Sequence, residues 1–296
     1  MINYENIKEI KDYMNTLRLD KSPHTITSYS SAINRFFGFL GIVSFHDVAE
    51  ITPDSCREYQ LHLKEIEGLQ FSSINANTRP LKTLFNWLVE NDYLQISPFD
   101  KIKYLKEPKK EKAFLTEKEI EGMMMAATRL EDKVILAILI TTGLRRSELV
   151  NLKLSDYRDC HVQVMGKGKK QRTLILQNSV CQLLNHYISK RRNRKPSNLN
   201  EPWLFCSKNG GQFTGEAIRA KVKNALRRSG IDEERLKSLS THTLRHTFTA
   251  NLFESGADVR VAQAALGHAN LATTQIYAHV RNSALDRAML NQKEIL

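Results

Sequence analysis

The chain has 296 residues, 41% of them hydrophobic, which is enough for one large or two medium domains with real apolar cores. Its net charge is +12, but residues 1–100 carry 9 Lys and Arg against 13 Asp and Glu, whereas the other 196 residues carry 35 against 19. No apolar run reaches the ~20 residues of a membrane span, and the polar start is unlike a signal peptide. The uneven basic excess suits a polyanion-binding face, although charge alone is a weak indication of function.

Four cysteines lie far apart, and none belongs to a C-x-x-C pair. This spacing argues against a zinc knuckle or a dithiol redox motif. We therefore expect reduced thiols in a cytosolic protein. The four are Cys56, Cys160, Cys181 and Cys206.

Four segments of the first 98 residues carry apolar side chains at helical spacing, which predicts a compact helical bundle. Pro23 begins the second helix and Gly41 ends it. Pro80 should kink or restart the fourth, because proline lacks the amide hydrogen that a helix interior uses. The predicted helices are Asn6–Leu19, Ser22–Leu40, Pro53–Glu67 and Ser72–Glu90.

A polar, basic segment over residues 99–113, broken by Pro108, predicts an interdomain linker. Its lysines suit contacts with a phosphate backbone, and the alternative is a solvated connector. The candidate DNA contacts are Lys101, Lys103, Lys109 and Lys110.

An arginine opens a helix early in the second domain. A capping box at Thr116 starts that domain's first helix, and Gly143 stops a later one. Arg145 then lies at a helix entry, where backbone amides and a guanidinium can both face an anion. Glu148, one turn on, is placed to hold that guanidinium. Alone, the pair is better explained as a surface ion pair.

A basic hairpin follows. His161–Met165 and Arg172–Leu176 have strand patterns, and a loop of glycines and lysines joins them. Lys167, flanked by glycines, suits either a phosphate contact or proton donation to a leaving oxygen, and the sequence favours the contact. Further DNA contacts are predicted at Lys169, Lys170 and Arg172.

His242 and Arg245 share a face near the start of another predicted helix. His242 and His246 also have the four-residue spacing of metal ligands, but the glutamate of a zincin helix is absent and no cysteine lies nearby. We therefore expect no metal site there.

The last candidates follow Gly267, which turns the chain and presents His268 from a loop. In a further helix, Tyr277 offers a phenol that can attack phosphorus. Each has an ordinary alternative, because loop histidines are more often structural and helical tyrosines commonly pack against a core.

Together, the motifs Thr142-Gly-Leu-Arg145-Arg-Ser-Glu148, Gly166-Lys167-Gly168, His242-Thr-Leu-Arg245-His246 and Leu266-Gly267-His268 through Tyr277 resemble the tyrosine recombinase (phage integrase) family over nearly the whole chain. In size and layout the chain is closest to the Xer-type recombinases. The resemblance implies a mainly α fold with a small β-hairpin, arranged as a two-domain, C-shaped DNA clamp. Its implied parts are a helical, SAM-like core-binding domain (1–98), a linker (99–113) and a catalytic domain (114–296) whose C-terminal helix is exchanged between protomers.

The resemblance also implies a catalytic set that needs neither metal nor ATP. Tyr277 would attack the scissile phosphate and form a 3′-phosphotyrosyl link. Arg145 and Arg245 would clamp the non-bridging oxygens. The remaining implied roles are donor to the phosphate for His268, general acid for Lys167, base or phosphate donor for His242, and support for Glu148.

The implied function is site-specific recombination through a Holliday junction, which resolves dimers or moves a mobile element. The alternatives are relaxation of supercoils, as by a type IB topoisomerase, and DNA binding without catalysis. The implied partners are a duplex recombination site, a tetramer on two sites or a heteromer with a related recombinase, and a regulatory DNA-binding protein. The expected location is the cytoplasm, at the nucleoid.

Overall fold

The computed structural model of the chain describes residues 6–106, 113–166, 171–192, 202–207, 211–267, 289, 290 and 292. The chain divides into two compact units, Met1–Lys110 and Glu111–Leu296. Within the described ranges the structure is mostly helical with one small antiparallel sheet, which confirms the predicted fold class. None of the described helices has the length and apolar composition needed to cross a bilayer.

The first unit is helical throughout its described secondary structure, and the four predicted helices are confirmed. Ser22 caps the second helix, because its hydroxyl accepts the amide hydrogen of Thr25 at 3.2 Å. A short helix missed from the sequence begins with a capping box between Ser44 and Asp47. The helices are α1 Lys8–Asp20, α2 Pro23–Leu40, α3 Phe45–Ala49, α4 Pro53–Glu65 and α5 Phe71–Glu90.

Helix α5 continues through Pro80, so the restart, predicted as the alternative to a kink, does not occur. The proline removes one hydrogen bond and crowds the preceding turn, at a cost of about 3 kcal/mol. Leu81, Leu84 and Phe85 follow it, and all three are completely buried. Burying side chains of this size contributes about 1.5–3 kcal/mol each, which offsets the cost.

Aromatic rings fill the core of the first unit. The Phe36 ring centroid lies 4.9 Å from that of Tyr59 and 5.5 Å from that of Phe99. Phe99 and Ile102 are buried in this core, which therefore extends past the predicted domain end at residue 98. Residues 107–112 lie outside the described residues, and the linker stays a prediction.

The second unit combines helices with a sheet of order β1-β2-β3. The two strands of the predicted hairpin are confirmed as β2 and β3, and β1 was not predicted. The elements are α6 Glu117–Ala126, α7 Leu130–Thr142, α8 Arg146–Val150, β1 Tyr157–Arg158, β2 His161–Met165, β3 Gln171–Ile175, α9 Asn178–Arg192, α10 Gly215–Arg228, α11 Glu233–Lys237, α12 Thr241–Glu254 and α13 Val259–Leu266.

Helix α7 is the centre of the second unit, since every residue from 134 to 142 is buried. A helix that is apolar all round has to be enclosed by its neighbours, here including α9 and α12. Gly143 ends α7 with φ +61°, and a Cβ there would lie 2.3 Å from the Phe248 ring. Only glycine permits this approach of α12 to the end of α7.

Two of the four cysteines are joined, contrary to the expectation that all are reduced. Cys160 and Cys181 form a disulfide with a Cα separation of 5.3 Å. Asp159 and Cys160 both have positive φ in the tight turn between β1 and β2, and this turn brings Cys160 against α9. Cys56 and Cys206 lie outside this disulfide.

The described tail residues pack on their own chain. Met289 is buried in the core of the second unit, and the carbonyl oxygen of Gln292 accepts a hydrogen bond from Gln177 at 3.1 Å. The contacts of Met289 and Gln292 are therefore made within the same chain. Exchange of the tail between protomers stays a prediction.

Candidate active site

Arg145 and Glu148 are held together at the start of α8. The Arg145 backbone amide donates to Oε2 of Glu148 at 2.8 Å, and its guanidinium Nη1 donates to Oε1 at 2.9 Å. The Glu148 side chain is only 5% exposed, whereas that of Arg145 is 33% exposed. The pair is therefore a buried carboxylate beneath a partly exposed guanidinium, unlike a solvated surface ion pair.

A second guanidinium binds the same carboxylate. Arg172 on β3 donates from Nη1 and Nη2 to the two oxygens of Glu148, at 3.1 and 2.9 Å. Its Nε donates to the carbonyl oxygen of Ala265 at 2.9 Å, and its side chain is 11% exposed. Arg172 was predicted from sequence to contact DNA, but its guanidinium is engaged within the protein.

Arg245 on α12 is the most deeply buried of the three arginines. Its Nη1 donates to the carbonyl oxygen of Gly143 at 2.5 Å, and its Nη2 donates to that of Leu266 at 2.6 Å. Arg145 Nη1 also approaches the Leu266 oxygen, at 3.4 Å. The structure thus brings together two of the predicted phosphate-binding residues from distant parts of the sequence.

The C-terminal end of α13 is the common target of these arginines. The last carbonyls of a helix lack intrahelical partners and lie at its negative end, so cations bind them well. Here Ala265 and Leu266 supply those carbonyls, and Gly267 follows with φ +60°. In the sequence, His268 comes directly after this anchored turn.

The ionisation of the cluster follows from its packing. Burial, together with the positive charge of Arg145, lowers the pKa of Arg245 to about 10, so the guanidinium stays charged at neutral pH. Burial by itself raises the pKa of Glu148, but hydrogen bonds from Arg172 and Arg145 outweigh it and the net pKa is lowered. The cluster therefore holds three positive groups and one negative group.

The other predicted catalytic residues are only partly described. His242 is exposed in the first turn of α12, three residues before Arg245, and its backbone amide donates to the Ser240 side chain at 3.2 Å. Lys167, His268 and Tyr277 lie outside the described residues. Among the residues that are described, no group of His, Cys, Asp and Glu is arranged to hold a metal ion.

Of the predicted DNA contacts, Lys101 and Lys103 are exposed on the first unit. The sequence alone did not single out Tyr104 next to them, whose ring lies 5.0 Å from Nζ of Lys82 and 6.0 Å from the Arg79 guanidinium carbon. A basic helix face beside an aromatic residue in the linker was the available signal. The remaining predicted contacts, Lys109, Lys110, Lys169 and Lys170, lie outside the described residues.

Comparison with known proteins assigns the family. The phage integrase family model matches residues 113–284, and the phage integrase N-terminal SAM-like domain model matches residues 10–92. Tyrosine recombinase XerC of Staphylococcus aureus is 32% identical over 295 residues, which cover 94% of each chain. The crystal structure of XerA recombinase is 28% identical, covers 95% of both chains and has a TM-score of 0.50.

A further solved structure, the XerH site-specific recombinase bound to a palindromic difH substrate, shares the fold at 23% identity. It covers 89% of this chain and 78% of its own, with a TM-score of 0.67. The chain belongs to the phage integrase family and is a tyrosine site-specific recombinase.

Proposed function

We propose that the protein cleaves and rejoins duplex DNA with Tyr277 as nucleophile and Arg145 and Arg245 as the clamp on the scissile phosphate. The observation that carries this proposal is the convergence of these two arginines on the carbonyl of Leu266, over the buried Glu148. Two fixed guanidiniums match the two non-bridging oxygens of a phosphodiester.

The charge of the cluster supports the same assignment. Three guanidiniums and one carboxylate leave an excess of two positive charges in a partly buried site. Charge builds on the non-bridging oxygens when a nucleophile adds to phosphorus, and preorganised donors stabilise it without having to move. Because Arg245 keeps its charge at neutral pH, it is ready for this role in the resting protein.

In the proposed reaction, the Tyr277 oxygen forms a bond to phosphorus while the bond from phosphorus to the 5′-oxygen breaks. Lys167 donates a proton to that leaving oxygen, and His268 donates a hydrogen bond to the phosphate. His242 either accepts the phenol proton, or donates to the phosphate while the phenol proton passes to water. The phosphotyrosyl link preserves the bond energy, so a 5′-hydroxyl from another strand reseals it without metal or ATP.

We also propose that the partner is a duplex recombination site, as in the DNA complex of the XerH relative. Lys101 and Lys103, exposed beside Tyr104, would meet its phosphates together with the predicted loop lysines. Strand exchange between two duplexes requires four protomers, either identical or paired with a related recombinase. It proceeds through a Holliday junction, at the nucleoid in the cytoplasm, and serves dimer resolution or a mobile element.

The decisive experiment captures the covalent intermediate and its DNA sequence. The full-length protein is incubated with fragmented genomic DNA from its own host, denatured, and assayed for protein–DNA adducts whose ends are sequenced. We expect adducts at a defined site with the wild type, and none with Tyr277→Phe, which should retain binding. An adduct with Tyr277→Phe would refute the nucleophile assignment, and no wild-type adduct would refute cleavage.

Plasmids carrying one or two copies of the captured site test the topoisomerase alternative. Recombination predicts products of new size from the two-copy plasmid. Topoisomers alone, from both plasmids, would favour relaxation. The recombinase relatives support the first outcome.

A further inference from the structure

We propose that Arg172 is a positioning residue of this active site, and that it acts without touching DNA. One guanidinium ties together the three segments that lead to Arg145, to Lys167 and to His268. The inference rests on the proposed function of those residues, but it makes a separate prediction about the rate of cleavage.

The first link runs to Arg145 through Glu148. Arg172 donates to both carboxylate oxygens, and Arg145 donates to the same two oxygens from its guanidinium and its backbone amide. The four hydrogen bonds occupy the carboxylate fully. Without Arg172, Glu148 would lose half of its donors and the fixed orientation on which the Arg145 guanidinium depends.

The second link runs to the turn before His268. Nε of Arg172 donates to the Ala265 carbonyl at 2.9 Å, and Nη1 lies 2.9 Å from the position that a Cβ would take at Gly267. The guanidinium is therefore packed directly against the last residue before His268. Any side chain at residue 267 would have to displace it.

The third link is the strand itself. Arg172 pairs with Val164 on β2, and Leu174 pairs with Val162. Side chains two apart on a strand share a face, and those of Val162, Val164 and Leu174 are buried. Arg172 thus lies on the inner face of the two paired strands, between which Lys167 stands in the sequence, and its hydrogen bonds fix these strands to the rest of the site.

The test uses a nicked duplex bearing the captured site and measures the single-turnover rate of adduct formation at saturating DNA. We expect Arg172→Ala to lower this rate about 100-fold, because small misplacements of catalytic groups have effects of that order. DNA affinity and its salt dependence should remain those of the wild type. Arg172→Lys should recover only part of the rate, since an ammonium lacks the planar fork that spans a carboxylate. The matched control is Arg158→Ala, an arginine of the same sheet whose side chain is 90% exposed.

Two results would overturn the proposal. One is an unchanged cleavage rate for Arg172→Ala at saturating DNA. The other is weaker DNA binding with a salt slope reduced by about one, which would identify Arg172 as a phosphate contact. In either case the wild type would still form the adduct, so the proposed function would survive.

A double variant covers the case in which Arg172→Ala fails to fold. Arg172→Gln with Glu148→Gln removes both charges together, and so leaves no buried carboxylate without its partner. We expect this variant to regain a thermal transition near that of the wild type and still to cleave slowly. Folding together with wild-type cleavage would refute the positioning role.

Discussion

The cores of the two units differ in the charge that they bury. In the first unit, no Asp, Glu, Lys or Arg side chain is buried among the described residues, and aromatic pairs such as Phe36 with Tyr59 fill the interior. The second unit buries Glu148 and Arg245 beside a largely aliphatic core. Both units have a buried hydrophobic core, so such a core can form without buried charge.

The difference identifies the buried charges of the second unit as a place where the fold is less stable than an apolar core could make it. Removing a charge from water costs several kcal/mol, and hydrophobic replacements of buried ion pairs are often neutral or stabilising. Arg245 nevertheless faces two backbone carbonyls, and Glu148 is enclosed by two arginines. Under the proposed function, this arrangement, which is costly at rest, would serve to hold a charged phosphate.

Replacing Arg245 gives the largest expected effect. Arg245→Ala should lower the rate of adduct formation at saturating DNA about 1000-fold, because a preorganised donor to the transition state is lost. Arg245→Lys should recover little, since one ammonium cannot reach both carbonyls and a phosphate oxygen. Arg57→Ala, at a half-exposed arginine of the first unit, provides the comparison and should leave the rate unchanged. Equal losses in the two units would remove the contrast between them.

Gly143 offers a test of packing around the site. Gly143→Ala combines a positive φ with a Cβ 2.3 Å from Phe248, so we expect a loss of about 2–4 kcal/mol in the free energy of unfolding. Gly256→Ala is the matched control, because Gly256 has φ +87° and no atom within 4 Å of its Cβ position. It should cost only about 1–2 kcal/mol.

Fluorescence of Trp203 isolates the second unit for this measurement when Trp87, the other tryptophan, is replaced by Phe. Both glycine variants are made in that background and unfolded with urea. Equal losses for the two would mean that Phe248 moves aside, and that α12 does not depend on its close approach to Gly143.

Local patterns explain why much of this architecture was predictable. Capping residues such as Thr116 and the alternation along β2 and β3 are encoded within a few residues, and the structure confirms them. The pairing of Arg145 with Glu148 was also visible, because four residues span one helical turn. What the sequence did not reveal was how deeply that pair is buried, since burial depends on segments far away in the chain.

Long-range contacts determine features that local patterns did not reveal. Pro80 leaves α5 unbroken because core packing outweighs a local rule. Arg172 was grouped with its basic neighbours, although its partners are Glu148 and a carbonyl at the end of α13, 24 and 93 residues away. A basic residue in register with Val164 could have been read as inward-facing, but the register itself requires the folded hairpin.

The smallest expected effect is the response to acid, and it also contrasts the two units. Glu148 and Asp47 both have lowered pKa values. For Glu148, burial raises the pKa, but hydrogen bonds from the Arg172 and Arg145 side chains and from the Arg145 backbone amide outweigh this effect. For Asp47, the main cause is hydrogen bonding from the backbone amides of Val43 and Ser44. A carboxylate with a lowered pKa stabilises the fold above its unfolded pKa, and this contribution is lost as the pH falls through the folded value.

Stability of the second unit, followed by Trp203, should therefore decline as the pH drops below about 4.5, the ordinary pKa of glutamate. Glu148→Gln should start less stable at pH 7 and show a flatter decline, because nothing at position 148 remains to be protonated. Asp47→Asn should leave this profile unchanged, since Asp47 belongs to the other unit. A wild-type acid response in Glu148→Gln would mean that other carboxylates govern acid stability, and that the two arginines do not hold Glu148 in its charged form.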